Sequence, residues 1–256
     1  MRFGRETERA SFRGLAPIVV VLVGASGALA NDIVITGGRV IDPASGLDAI
    51  RNVAIEGDRI AAISAFELDG DLVIDATGHV VSPGFIDLHA HCQSIGDYRM
   101  YAMQGVTTAL ELESGVLPIA DWYASQAEKG LPVNYGAAAG WTYSRIATFS
   151  NTDPLATAGY FQDAQSSNDW KQEIADAVQS ERILNLVEQG LNEGALGIGI
   201  NAGYAPGYGQ KEYFALAELA GRYGVATFTH VRYASTLEPQ SSFEAVKELI
   251  ANAAVT

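Results

Sequence analysis

The chain has 256 residues, with 16 basic and 30 acidic side chains and a formal net charge of −14 at pH 7. A surface this acidic repels phosphate backbones, which excludes nucleic acid as a partner. With 48% hydrophobic and 18% charged residues, the chain is too apolar for a disordered protein, and its length suits one large domain or two modest ones.

The first 30 residues have the pattern of a secretory signal peptide. Four arginines lie between Arg2 and Arg13, an apolar run covers 15–23, and 28–30 is a small-x-small cleavage pattern. The alternative is a short membrane anchor, but the apolar run is shorter than the about 20 residues that a span needs. The sequence therefore predicts a secreted or periplasmic protein, with no stable membrane insertion after the signal is cleaved.

Residues 31–82 predict a small β-sandwich domain. Short apolar runs alternate with turns rich in glycine and aspartate, which is typical of strands joined by hairpins. The Gly37-Gly38 pair is expected to separate the first two strands, and 56–59 is expected to form a hairpin corner. The predicted strand cores lie at 33–35, 39–41, 53–55, 60–63 and 72–74.

From residue 83 to 256 the pattern predicts an α/β fold of the (β/α)8 TIM-barrel type. Continuous apolar strands alternate with helical segments, which indicates parallel strands covered on both faces. A polar connection is expected at 142–167, one helix at 169–189, and the start of a sixth strand at 253–256. The five predicted strands cover 85–91, 106–112, 132–138, 195–200 and 225–230.

Five β/α units do not close a barrel, which takes eight. An open half-barrel leaves an apolar edge strand unpaired, and such an edge promotes aggregation. The pattern therefore predicts that the chain is the N-terminal part of a longer barrel. A doubly wound open sheet, which tolerates five or six strands, is the alternative.

The strongest chemical signal is the segment 83–91, PGFIDLHAH. Alternation along a strand puts His89 and His91 on one face, where two imidazoles converge on one point. Neutral imidazole is a good ligand for Zn²⁺ and similar metals. A barrel keeps its active site at the C-terminal ends of its strands, which is where this pair is expected.

Two acids and one further histidine are expected in the same ring of strand ends. Glu111 and Glu113 share a face of the second strand, and His230 ends the fifth. Buried acids in an apolar strand need a partner or a metal. Glu113 is the predicted ligand beside His230, whereas Glu111 is a second choice or a support for a histidine. A solvated Glu113 and a structural His230 are the alternatives.

Two residues are candidates for substrate binding. Tyr204 lies in the glycine-rich loop after the fourth strand and is expected to point inward. Arg232 follows His230 and has the planar fork that binds a carboxylate through two hydrogen bonds. A surface salt bridge is the alternative for Arg232.

These motifs resemble the amidohydrolase superfamily. The entry into the barrel at 81–91 carries the resemblance, and 105–108, 203–207 and 229–232 are similar to its D-aminoacylase (N-acyl-D-amino-acid deacylase) branch. The resemblance covers about residues 32–256. It implies one or two divalent metal ions, with zinc as the expected metal, and a small-molecule N-acyl amino acid as substrate.

The roles implied by the resemblance carry over in part. His89 and His91 resemble the ligands of the first metal, and His230 a ligand of the second. Where the branch has a cysteine ligand, this chain has Ser114, so Glu113 is the expected replacement. The further histidine and the general-base aspartate of the family belong to later strands, so the general base is expected beyond Thr256.

The resemblance implies a hydrolase of C–N bonds other than peptide bonds, in which a metal-bound hydroxide attacks the amide carbonyl. Three alternatives stay open at this point. The chain is a truncated and inactive metal-binding fragment, a cyclic amidase of the dihydroorotase type, or a dipeptidase. The sequence does not decide the side-chain preference or the oligomeric state.

Overall fold

The computed structural model describes residues 30–91 and 94–256, and it divides into two compact units after Pro83. The predicted signal peptide lies outside the described residues, so the signal peptide and the export that it implies stay predictions. Within the described part of the chain, no helix is both long enough and apolar enough to cross a membrane.

The first unit contains one five-stranded sheet in the order β3-β2-β1-β4, with β5 also paired to β1. β1 and β2 are antiparallel, as are β2 and β3, whereas β4 and β5 run parallel to β1. A second layer that would make this domain a sandwich stays a prediction. The strands are β1 (Asn31–Asp42), β2 (Leu47–Glu56), β3 (Arg59–Ser64), β4 (Gly70–Asp75) and β5 (Val80–Val81).

The prediction of two strands separated at Gly37-Gly38 was wrong, because β1 continues through both glycines. The register against β2 shifts between Ile35 and Gly38, and Gly37 has a φ of 69°. Glycine adopts this left-handed conformation without steric cost, so the strand absorbs a bulge instead of ending. The hairpin corner is confirmed, since Glu56 pairs with Arg59 around Gly57.

The second unit contains five parallel strands, joined in chain order by helices. The strands are β6 (Phe85–Asp87), β7 (Val106–Val116), β8 (Asn134–Gly140), β9 (Gly197–Asn201) and β10 (Ala226–His230). The helices are α1 (Ile95–Met103), α2 (Ile119–Lys129), α3 (Trp141–Ser150), α4 (Ala158–Asp163), α5 (Asp169–Gln172), α6 (Ala177–Asn192), α7 (Gln210–Tyr223) and α8 (Ser242–Ala253). Short 3-10 turns cover Ala164–Ser166 and Ala202–Tyr204.

This sheet is part of a TIM-type barrel, as the sequence predicted. Its strand order, β10-β9-β8-β7-β6, follows the chain without a reversal. A doubly wound sheet reverses its strand order at a switch point, so that alternative was wrong. The sheet also curls, because β7 approaches β10 as well as its own neighbour β8.

The strand predicted at 85–91 ends early, at Asp87. The Asp87 carboxylate accepts a hydrogen bond from the backbone N–H of His89 at 2.9 Å. Such local bonds compete with the strand ladder and bend the chain. The backbone then returns to β7, where Ala90 N–H donates to the carbonyl of Leu110 at 3.0 Å. His89 and His91 therefore lie in a bend beyond the strand.

The polar connection predicted at 142–167 was wrong in its first part, which is the buried helix α3. Every residue of Trp141–Thr148 is buried, so the helix shows no polar face that a periodic pattern would reveal. The single helix predicted at 169–189 was also wrong. Asp176 caps a new helix there, with Gln179 completing a capping box, so α5 and α6 are separate.

The sixth strand predicted at 253–256 was wrong for these residues. α8 continues to Ala253, and the helix ends with a hydrogen bond from the Ala254 N–H to the carbonyl of Ile250. Alanines at 251, 253 and 254 are strong helix formers and extend α8 over the start of the predicted strand.

A buried ion pair anchors α3 beneath the sheet. Arg145 is completely buried, and its Nη1 donates to Glu212 Oε2 on α7 at 2.6 Å. Trp141 Nε1 donates to the other Glu212 oxygen at 2.6 Å. Arg145 also donates to the carbonyls of Trp170 and Glu173. Arg145 on α3 therefore links this helix to Trp170 on α5 and to Glu212 on α7.

We expect Arg145→Met to lower the free energy of unfolding by about 3–5 kcal/mol, because Glu212 is left as an unpaired buried charge. Urea denaturation followed by circular dichroism measures the change. The control is Arg39→Met, which breaks the exposed Arg39–Asp48 pair and should have little effect. The double variant Arg145→Met/Glu212→Leu should be more stable than Arg145→Met alone. Equal effects of Arg145→Met and Arg39→Met would contradict the anchoring role.

Candidate metal centre

Glu113 lies where the ends of three parallel strands converge. It sits near the end of β7, is buried, and faces histidines that follow β6 and end β10. The predicted ligands His89, His91, Glu113 and His230 are thus brought together around one carboxylate.

His89, His91 and Glu113 offer ligand atoms that all lie within 4.8 Å of one another. The Nε2 atoms of both histidines are 3.5 Å from Glu113 Oε2. A tetrahedral zinc site with bonds of about 2.0–2.1 Å places neighbouring ligand atoms roughly 3.3–3.4 Å apart. The two nitrogen–oxygen distances therefore match the spacing of ligands around one ion, and the donor set fits a divalent metal.

His230 approaches the other oxygen of the same carboxylate. Its Nδ1 lies 3.0 Å from Glu113 Oε1. Glu113 thus presents one oxygen to the His89–His91 pair and the other to His230. A carboxylate in this position has the geometry to bridge two ions.

Glu111 supports His91 from the side away from Glu113. The Nδ1–H of His91 donates to Glu111 Oε1 at 2.8 Å, which leaves Nε2 as the nitrogen facing Glu113. Burial raises the pKa of Glu111, and the hydrogen bond to Glu111 raises the pKa of His91. A carboxylate that fixes the tautomer and the orientation of a ligating histidine is typical of metal sites.

Asn201, at the end of β9, is a site residue that the sequence analysis missed. Its buried amide lies against both oxygens of Glu113 and against the Ser114 hydroxyl. Because carboxylate oxygens only accept, the amide nitrogen belongs on that side. In this orientation the nitrogen donates to Oε2 at 3.1 Å and also to Oε1, and the amide oxygen accepts from Ser114 at 3.0 Å. A polar residue ending the apolar run GIGI was the available signal.

A cavity of about 270 Å³ opens beside the carboxylates. Tyr204 lies at its wall, and the Tyr204 ring meets the His230 ring edge-on at 5.2 Å between centroids. Tyr204 thus adjoins the candidate metal ligands. Its role in substrate binding stays a prediction.

Arg232 is engaged by protein groups. It forms a two-pronged ion pair with Glu248 on α8, at 2.6 and 3.1 Å. Its Nη1 donates to the carbonyls of Pro206 and Tyr208, and its guanidinium lies 3.5 Å from the centroid of the Tyr208 ring. Arg232 therefore forms a salt bridge, as in the alternative, but the pair is largely buried and does not lie on the surface. It ties the loop after β9 to α8. These contacts leave Arg232 without a free pair of donors for the substrate carboxylate that it was predicted to bind.

The chain belongs to the amidohydrolase family, whose sequence model matches residues 72–255. Among curated proteins it is similar to the dihydroorotase of Streptococcus thermophilus, with 45% identity over 65 residues, which are 25% of this chain and 15% of that protein. The dihydroorotase of an Anaeromyxobacter species is 40% identical over 79 residues, which are 30% of this chain and 18% of that protein.

Two solved structures share the fold. The N-acyl-D-glutamate deacylase of Bordetella bronchiseptica, solved with zinc and a phosphonate inhibitor, matches with a TM-score of 0.68 and 23% identity. A D-aminoacylase, described as having a binuclear metal centre, matches with a TM-score of 0.70 and 22% identity. Each match covers 88% of this chain and 49% of the other, so the chain spans about half the length of these enzymes.

We expect Asn201→Asp to destabilise the metal-free protein by about 1–3 kcal/mol, because the Glu113 carboxylate loses its donors and gains a like charge. Urea unfolding in excess chelator measures the loss. Repulsion raises the pKa of the new carboxyl in the folded state, so the loss should be larger at pH 8 than at pH 5. The exposed control Asn168→Asp should be near neutral, and equal losses at both pH values would contradict the contact.

Proposed function

We propose that the protein is a metal-dependent hydrolase of the amide bond in N-acyl-D-amino acids. The observation that carries the proposal is the single buried carboxylate of Glu113, which faces three histidine side chains from two other strand ends. Histidine and carboxylate are ligands of zinc, which is the metal that we propose.

The arrangement of donors suggests room for one or two ions. His89 and His91 would hold the first ion with Glu113, while His230 and the second Glu113 oxygen would hold the other. When bound, a divalent metal polarises a carbonyl oxygen and lowers the pKa of a water molecule. An amide is unreactive toward neutral water, so this chemistry suits a C–N hydrolase.

The side chains of this unit would orient the ligands and shape the substrate site. Glu111 holds His91, and Asn201 holds Glu113. Both acids of the cavity are therefore engaged by other side chains. The group that takes the proton from water is predicted by the resemblance to be an aspartate on a later strand of the barrel.

The choice of an N-acyl-D-amino acid is supported by the sequence motifs and by the shared fold of the D-aminoacylase and the N-acyl-D-glutamate deacylase. A cyclic amide hydrolase is the second candidate. It is supported by the dihydroorotases, which match short stretches of this chain at 40–45% identity. Both candidate reactions would use the same metal ligands, and they differ in whether the amide bond lies in an open chain or in a ring.

A substrate panel tests the proposal. The intact protein, with the later strands on which the general base is expected, is loaded with zinc and incubated with N-acetyl-D-amino acids, their L-enantiomers, dihydroorotate and hydantoin. Release of amine or ring opening is measured. We expect turnover of the D-series, loss of turnover with chelator, and recovery on addition of zinc. Glu113→Gln should abolish turnover while the exposed Glu128→Gln keeps it. Turnover of the cyclic amides alone would favour the second candidate, and turnover that survives chelation would refute both.

We expect Glu111→Gln to weaken zinc binding by about 10–100-fold, because His91 loses the carboxylate that orients it. Competition with a chromophoric chelator measures the dissociation constant without requiring activity. Glu128→Gln on α2 is the matched control, since that side chain is exposed and does not line the cavity. Identical zinc affinity of Glu111→Gln and the unaltered protein would show that the contact does not serve a metal.

A further inference from the structure

Beyond the metal ligands, the cavity has an aromatic wall, of which only Tyr204 was predicted from the sequence. Tyr143 on α3, Phe161 on α4 and Tyr204 after β9 form this wall. Phe161 stacks on Tyr143 at 6.5 Å between centroids and meets Tyr204 edge-on at 5.6 Å. Tyr204 in turn contacts His230, so the wall continues up to the candidate metal centre.

Two of the three rings, Tyr143 and Phe161, offer no free polar side-chain atom to the cavity. The Tyr143 hydroxyl is used internally, because it donates to the backbone carbonyl of Thr157 at 3.2 Å. That bond fixes the ring and ties α3 to the residue that caps α4. Phe161 has no polar atom, and the Ser114 hydroxyl is bound to Asn201.

Among the described residues, no lysine or arginine lines this cavity. The polar side chains of the lining are the carboxylates, His91, the amides of Asn201 and Gln162, and the hydroxyls of Ser114, Tyr143 and Tyr204. A negatively charged substituent placed against the wall would lose water without gaining a lysine or arginine partner, which is unfavourable. The volume of about 270 Å³ suits part of a small molecule and not a folded partner.

We propose that Tyr143, Phe161 and Tyr204 form a subsite for an uncharged apolar or aromatic substituent of the amide substrate. This proposal rests on the proposed function and adds a substrate class to it. The subsite discriminates against a carboxylate at the same position. Phe161 is its central residue, because it touches both tyrosines and has no other chemical role.

Matched substrate pairs test the subsite in the zinc-loaded protein. One pair varies the amino-acid side chain, N-acetyl-D-phenylalanine against N-acetyl-D-glutamate. The other pair varies the acyl group, N-phenylacetyl-D-alanine against N-succinyl-D-alanine. We expect kcat/KM to favour the apolar member by at least about 10-fold in one pair, since apolar pockets discriminate by roughly 10–200-fold. The pair that shows the preference identifies which substituent occupies the subsite.

Phe161→Ala should reduce that preference by at least about 10-fold, and Phe161→Leu should reduce it less, because leucine keeps an apolar contact. Phe243→Ala is the matched control, since Phe243 is exposed on α8 and lies outside the cavity. The preference should be unchanged in the control. Equal or better turnover of the charged member in both pairs would overturn the proposal, as would an unchanged preference in Phe161→Ala.

Binding of the products separates failure of the subsite from failure of the proposed function. If no amide is cleaved, the proposed function fails, but quenching of intrinsic fluorescence still reports ligand binding near Trp170, which packs on Phe161. If the subsite holds the acyl group, we expect phenylacetate to bind at least about 10-fold more tightly than succinate. If it holds the amino-acid side chain, we expect D-phenylalanine to bind at least about 10-fold more tightly than D-glutamate. Equal affinities within both comparisons would overturn the subsite, and this measurement does not depend on a variant that folds.

Discussion

The architecture of the second unit centres on the burial of one carboxylate, Glu113. A charged side chain taken out of water is strongly unfavourable unless charges and donors surround it. The structure supplies them from separate strands: imidazoles that follow β6 and end β10, and an amide that ends β9. These groups meet because parallel strands end at the same edge of the sheet, where a barrel fold places its reactive side chains.

A surrounding layer of contacts holds this cluster in place. Glu111 fixes His91, and Asn201 joins Glu113 to Ser114. Farther out, Arg232 ties the loop after β9 to α8, and Arg145 ties α3 to α7. Both arginines act within the protein, through two-pronged or buried ion pairs. Near the site, the acids Glu111 and Glu113 thus face histidines, whereas the two arginines connect elements of the fold.

Glu113 lies one residue before Ser114, the position at which the resemblance implies a metal ligand. In this segment the register of β7 against β8 shifts between Glu111 and Val116. Gly115 adopts a left-handed conformation in that irregular segment, at a φ of 62°. Glu113 therefore reaches the histidines although the position of the expected ligand holds a hydroxyl.

The sequence by itself determined the parallel β/α pattern, the family and the three histidines that face Glu113, because strand periodicity and the His-x-His motif are local signals. It did not determine the buried helix α3, whose Arg145 pairs with Glu212, a residue 67 positions farther along the chain. Nor did it reveal Asn201 as a partner of Glu113, or Arg232 as a partner of Glu248. Those pairings depend on which strand ends and helices meet in space, and only the tertiary structure decides that.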